Sequence, residues 1–98
     1  ILDPVNLISA ENYQNQDEVI EKAFRLYGDK ISVIHMKDFT IKEGQPQFAH
    51  IGEGMFHYET LLRNLKREKP YITMLLEESN PERYHSDVKH LQKIYERV

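Results

Sequence analysis

The sequence predicts an α/β domain built on parallel strands, and three observations lead there. Two short apolar runs, Ile31-Ser-Val-Ile-His-Met36 and Tyr71-Ile-Thr-Met-Leu-Leu76, lack polar alternation. That is the pattern of strands covered by helices on both faces. Apolar residues at helical spacing precede, separate and follow these runs. Both runs change abruptly to ionisable residues at their C-terminal ends, His35, Lys37 and Asp38 in one case and Glu77-Glu78 in the other. Strand C-termini are where α/β proteins hold their ligand sites.

The elements follow in order. Ile1-Leu2-Asp3 reads as the end of a buried strand, and Pro4, which has no N–H to give a ladder, turns the chain out. Val5 to Tyr13 is a connecting loop or single turn. Asn15 or Asp17 can cap a helix whose positive end suits Glu18 and Glu21. Val19, Ile20, Ala23, Phe24 and Tyr27 form its apolar stripe, and Gly28 suits a left-handed residue at its end. After the first apolar strand, residues 37–56 show no period, and Gly44, Pro46, Gly52 and Gly54 mark a long loop. A second helix starts near His57 or Tyr58 with Leu61, Leu62 and Leu65 on one face, and Pro70 closes it. The second apolar strand ends at Glu77-Glu78. Asn80-Pro81-Glu82 then opens a last helix whose stripe is Tyr84, Val88, Leu91, Tyr95 and Val98.

Strands alternating with helices imply parallel pairing through right-handed crossovers. Three strands do not close a barrel, so the pattern fits part of an α/β barrel or one side of an open sheet. The chain begins without Met, inside a strand, as a piece of a longer protein would. Made alone, it is expected to expose strand edges and the inner sheet face, and so to self-associate as a homo-oligomer.

Bulk numbers narrow the function. The chain has 98 residues, 40% hydrophobic and 30% charged, enough for one domain. Cysteine is absent, which excludes disulfides and thiol chemistry. A net charge of −3 with no basic cluster argues against nucleic-acid binding. No run of about 18 apolar residues is present, which argues against a membrane span.

Asp3, His35 and Glu77 stand at three strand ends that a parallel sheet turns to the same side. Neighbouring strands lie about 4.8 Å apart, so these side chains can converge on one divalent cation. Two carboxylates and an imidazole suit Mn²⁺, Mg²⁺, Co²⁺ or Zn²⁺ without selecting among them. Spacing alone leaves open that they are three unrelated loop caps. It also leaves Glu78, His50, His57 and Asp38 as competing ligands.

Four pieces in order resemble the C-terminal part of the xylose isomerase-like superfamily, which includes sugar phosphate isomerases/epimerases and endonuclease IV. They are Leu2-Asp3-Pro4-Val5-Asn6, Ile34-His35-Met36-Lys37-Asp38, Ile51-Gly52-Glu53-Gly54, and Leu75-Leu76-Glu77 followed by Asn80-Pro81. The resemblance spans residues 1–98 and implies the C-terminal βαβαβα part of a (β/α)8 TIM barrel. It implies that Asp3, His35 and Glu77 are metal ligands, and it selects Glu77 over Glu78. It further implies a cytoplasmic sugar isomerase or epimerase of carbohydrate metabolism. In such an enzyme Glu77 moves a proton alpha to a carbonyl and the metal stabilises the enediolate. A second Glu on an earlier strand would complete that site. Asn6 stands where many members carry a substrate-binding His and can hydrogen-bond a sugar hydroxyl, and His50 is a further substrate-contact candidate. The endonuclease branch has an Asp-x-His pair before its GEG turn. Here Pro46-Gln47-Phe48-Ala49 occupies that place, which ranks abasic-site cleavage below isomerisation. A third alternative, a non-catalytic self-associating fragment, stays beside these two.

Overall fold

The structure, a computed structural model, describes residues 2–76 and 81–98. In chain order the elements are α1 (Gln16–Tyr27), β1 (Val33–Met36), β2 (Asp38–Lys42), β3 (Gln45–Ala49), α2 (Tyr58–Glu68), β4 (Thr73–Leu76) and α3 (Pro81–Arg97). Short 3-10 turns cover Pro4–Leu7, Tyr13–Asn15 and Gly28–Lys30.

β1 and β4 pair in parallel, with Val33 opposite Thr73 and Met36 opposite Leu76. On the other edge of β1, Leu2 forms a parallel bridge to Ile34. Its N–H donates to the Val33 carbonyl and its carbonyl accepts from the His35 N–H, both at 2.8 Å. The order is therefore Leu2, β1, β4, with β1 in the middle. A small parallel α/β sheet with three helices is what the chain builds, and no closed barrel is present among the described residues.

All three helices pack on one sheet face. Ile34 and Met36 of β1 are fully buried with Ile20 and Phe24 of α1, Leu61 and Leu65 of α2, and Leu91 and Ile94 of α3. Each such side chain contributes roughly 1.5–3 kcal/mol by leaving water. Gln16, itself buried, ties α1 to the start of α2. Its amide nitrogen donates to the Tyr13 and Met55 carbonyls and its oxygen accepts from the His57 N–H at 2.8 Å.

The opposite face differs from the sequence expectation. Burial alternates along β1, and Val33 and His35 are only half-buried. Their register partners Thr73 and Leu75 are exposed, Leu75 by 52%. The unalternating run predicted cover on both faces, but this chain supplies helices for one. The last helix keeps Leu91, Tyr95 and Val98 of its expected stripe against the core, with Val88 half-buried, and the buried side widens toward Asp87 and Ile94. Asp87, Leu91 and Ile94 are buried, whereas Tyr84 is exposed.

The long loop expected over 37–56 contains a hairpin. β2 and β3 pair antiparallel, from Asp38 opposite Ala49 to Lys42 opposite Gln45. Glu43 and Gly44 take φ of 51° and 75°, the doubly positive backbone of a two-residue hairpin turn. Two further expectations are corrected. Gly28 is right-handed and leads into a 3-10 turn, and Asn15 is the N-cap residue of α1 without a side-chain capping bond.

Candidate functional site

The bridge at Leu2 decides what the strand ends bring together. Leu2 sits beside Ile34, so the next residues, Asp3 and His35, are neighbours. Side chains alternate along a strand. Ile34 turns into the core, so His35 stands on the open face, half-buried rather than enclosed. Asp3 Oδ2 lies 3.7 Å from His35 Nδ1, with side chains 16% and 34% exposed. That separation is beyond a hydrogen bond.

Lys37 follows His35 by two residues and joins the same cluster. Its Nζ lies 3.3 Å from Asp3 Oδ2 and donates to Asn6 Oδ1 at 2.9 Å. Asn6 reaches it from the Pro4–Leu7 turn, where Pro4 fixes the backbone just after the strand bends out. Lys37 thus joins Asp3 and Asn6, whereas Asp38, the next residue, turns to the glycine-rich turn. Strand alternation explains the difference, because it puts positions 35 and 37 on one face and sends Asp38 to the other.

The second oxygen of Asp3, Oδ1, is buried and has no hydrogen-bond partner among the described residues. An unsatisfied buried carboxylate oxygen is costly unless a ligand meets it. This orphan oxygen and the neighbouring imidazole are chemically suited to a first-row divalent cation. Among the described residues, however, no group of three or more His, Cys, Asp or Glu gathers as a metal site. Glu77, the third expected ligand, and Glu78 lie outside the described residues.

His50 does not join the Asp3 cluster through any described hydrogen bond or ion pair. Its ring meets Phe48 edge-on at 5.3 Å, and its carbonyl accepts the Glu53 N–H at 3.0 Å. Between the Pro4–Leu7 turn and the hairpin lies a cleft of about 240 Å³, onto which Asn6, Lys37, Gln47 and Phe48 open.

Asp38 has a role that the sequence reading missed. It is fully buried, and its carboxylate gathers the glycine-rich turn. Oδ1 accepts from the N–H groups of Phe39 at 2.8 Å and Phe56 at 2.9 Å. Oδ2 accepts from Gly52 at 3.2 Å, Gly54 at 3.1 Å and the Tyr58 hydroxyl at 2.5 Å. Burial and the adjacent Asp38 push the Tyr58 phenol well above its usual range, so it remains a donor. Asp38, rather than Glu53, fixes the turn. Glu53 instead reaches Arg83 of α3 at 3.3 Å. A β-carbon at Gly54 would stand 2.3 Å from both Asp38 Oδ1 and the Phe39 carbonyl, which explains glycine there. The sequence signal was an Asp at a strand end followed by a GxG, but the spacing does not reveal such backbone bonds.

Searches against family models, curated proteins and solved structures find no match for this chain. Among the described residues, no helix is long and apolar enough to cross a membrane.

Proposed function

We propose that this chain is the C-terminal βαβαβα part of a (β/α)8 barrel, and that it carries part of the site of a divalent-metal-dependent sugar isomerase or epimerase. The observation that carries this reading is the pairing of Asp3 and His35 at adjacent parallel strand ends, with the buried Asp3 Oδ1 unsatisfied among the described residues. The helices on one sheet face and the open other face suit a barrel segment whose inner side carries the site.

In this reading Asp3, His35 and Glu77 hold the cation, and Glu77 moves the proton alpha to the substrate carbonyl. The bound cation supplies Lewis-acid stabilisation of the oxyanion that develops when that proton leaves. Lys37 and Asn6 stand beside Asp3 to orient substrate oxygens. The Lys37 ammonium contacts Asp3 Oδ2, which leaves Oδ1 as the oxygen that would meet a cation.

Metal binding and proton exchange test the proposal separately. Mn²⁺ titration followed by electron paramagnetic resonance is expected to show one site. Asp3→Asn or His35→Ala should weaken it roughly tenfold or more, in line with the sensitivity of metal sites to their supporting ligands. This chain alone, without the second Glu, is expected to be inactive, but in the full-length protein with aldose and ketose substrates in D₂O, deuterium should appear at the carbon next to the carbonyl, and Glu77→Gln should abolish that exchange. Unchanged Mn²⁺ affinity in both ligand variants would overturn the metal assignment. Exchange that persists in Glu77→Gln would overturn the proton-transfer role.

A further inference from the structure

We infer that Lys37 is a positioning residue that decides how Asp3 meets a cation. It holds Asp3 Oδ2, so Asp3 offers one oxygen rather than two, and the site thereby favours small divalent ions over Ca²⁺. The inference rests on the metal reading proposed above and adds a selectivity to it.

Lys37 is placed by what lies on either side of it. It is the one residue between β1 and β2, and its neighbours Met36 and Asp38 are both fully buried. Its backbone is therefore fixed on both sides, and its side chain is only 16% exposed, as is that of Asp3. The ammonium lies 3.3 Å from Asp3 Oδ2 and donates to Asn6 Oδ1 at 2.9 Å. Asn6 is tied in turn. Its N–H donates to the Asp3 carbonyl at 3.1 Å, in a turn seated on buried Pro4 and Val5. Asp3, Asn6 and Lys37 thus close a ring of contacts that fixes the carboxylate. His35 does not hold it in this way, because its Nδ1 is 3.7 Å from the same oxygen.

The two oxygens of Asp3 are consequently unlike. Oδ2 carries the ammonium, whereas Oδ1 is buried with no hydrogen-bond partner among the described residues. A divalent ion bound through both oxygens would stand beside the ammonium, and like charges repel strongly at that separation in a mostly buried site. Binding through Oδ1 alone keeps them apart. Small ions such as Mg²⁺ need few protein oxygens in a strict octahedron, whereas Ca²⁺ gathers about six to eight oxygens and draws on bidentate carboxylates to do so. Lys37 withholds one of those oxygens.

The test is competition for Mn²⁺, followed by electron paramagnetic resonance, with Ca²⁺ and with Mg²⁺ separately. All three ions carry the same charge, so a change in local charge or in overall stability cancels from the affinity ratios and a change in denticity does not. Lys37→Met frees Oδ2 and should lower the preference for Mn²⁺ over Ca²⁺ roughly tenfold, the low end of what partners of metal ligands contribute, while the Mn²⁺-to-Mg²⁺ ratio holds. Asn6→Ala, at an exposed position, preserves the fold and loosens the ammonium. It should move the Ca²⁺ ratio in the same direction by less, and it decides the matter alone if Lys37→Met does not fold. An unchanged Mn²⁺-to-Ca²⁺ ratio, or an equal change in the Mg²⁺ ratio, overturns this inference and leaves the metal reading standing. No Mn²⁺ binding by the unsubstituted protein removes both.

Discussion

Replacing Asp38 by Asn tests the organisation of the candidate site most directly. The substitution keeps shape and removes one acceptor atom. If the Asn oxygen stays with the Phe39 and Phe56 N–H groups, its NH₂ is turned toward Gly52, Gly54 and the Tyr58 hydroxyl. The hydroxyl can rotate to accept, but the two glycine N–H groups cannot, and only Gly52 keeps a second acceptor, the Tyr58 oxygen at 3.0 Å. Each lost bond to a buried carboxylate costs about 1–3 kcal/mol. Because both glycines are exposed, water recovers part of this, and the expected loss is about 2–4 kcal/mol. That is a large share of a typical folding stability of about 5–15 kcal/mol. Urea denaturation followed by circular dichroism should show the midpoint falling by about 1–2 M at unchanged slope. Asp3→Asn is the control. It disturbs a partly exposed pair and should cost no more than about 1 kcal/mol. A loss below about 1 kcal/mol in Asp38→Asn, or equal losses in the two variants, would refute the reasoning.

The other expectations use the same measurements. Gly54→Ala forces a β-carbon to 2.3 Å from the Phe39 carbonyl and should destabilise more than Gly44→Ala. At Gly44 the space is open and only the φ of +75° penalises a side chain, by about 1–2 kcal/mol. The Tyr58 phenol is held above its ordinary value of 10.0, so the stability it contributes is complete below that pH and is lost as pH rises beyond it. Alkaline unfolding that begins above pH 10 should therefore be blunted in Tyr58→Phe, as read by far-UV circular dichroism. Asp17 behaves in the opposite sense. Burial pulls its carboxyl upward, but the Thr60 hydroxyl and His57 outweigh that and hold it below its ordinary value of 3.8. Its contribution is present above that value and is lost as pH falls through the lower folded value. The carboxylate is 56% exposed, so Thr60→Val should remove less than about 0.5 kcal/mol of this acid-sensitive stability, measured as the difference between pH 6 and pH 3.

The helices, the parallel strands and their order were legible because each depends on short-range periodicity. Ile20, Phe24, Leu61 and Leu65 announce their helices by spacing, and the whole apolar run of β1 announces a strand. The hairpin was not legible. Its second strand, Gln45–Ala49, is mostly exposed and contains Pro46, so it lacks both alternation and β-propensity. The run of β1 also concealed that only Ile34 and Met36 face helices. At the site, the neighbourhood of Asp3 and His35 followed from the parallel order, and Lys37 could have been added by counting two residues from His35. Asp38 could not be read in this way. Most of its partners are backbone groups, three of them fourteen to eighteen residues away, and backbone groups leave no residue-type signature.

The carboxylate beneath the Gly52–Gly54 turn has a consequence for what that turn can recognise. A glycine-rich loop with converging N–H groups resembles a cradle for phosphate. In this chain the cradle is already filled by an anion that the chain carries itself. Its donors are committed, so the turn has no N–H groups left to seat an outside anion there. Emptying the cradle makes the point chemically. In Asp38→Gly the N–H groups of Gly52, Gly54 and Phe56 face a void the size of a small carboxylate, and added formate or acetate should restore stability that chloride does not.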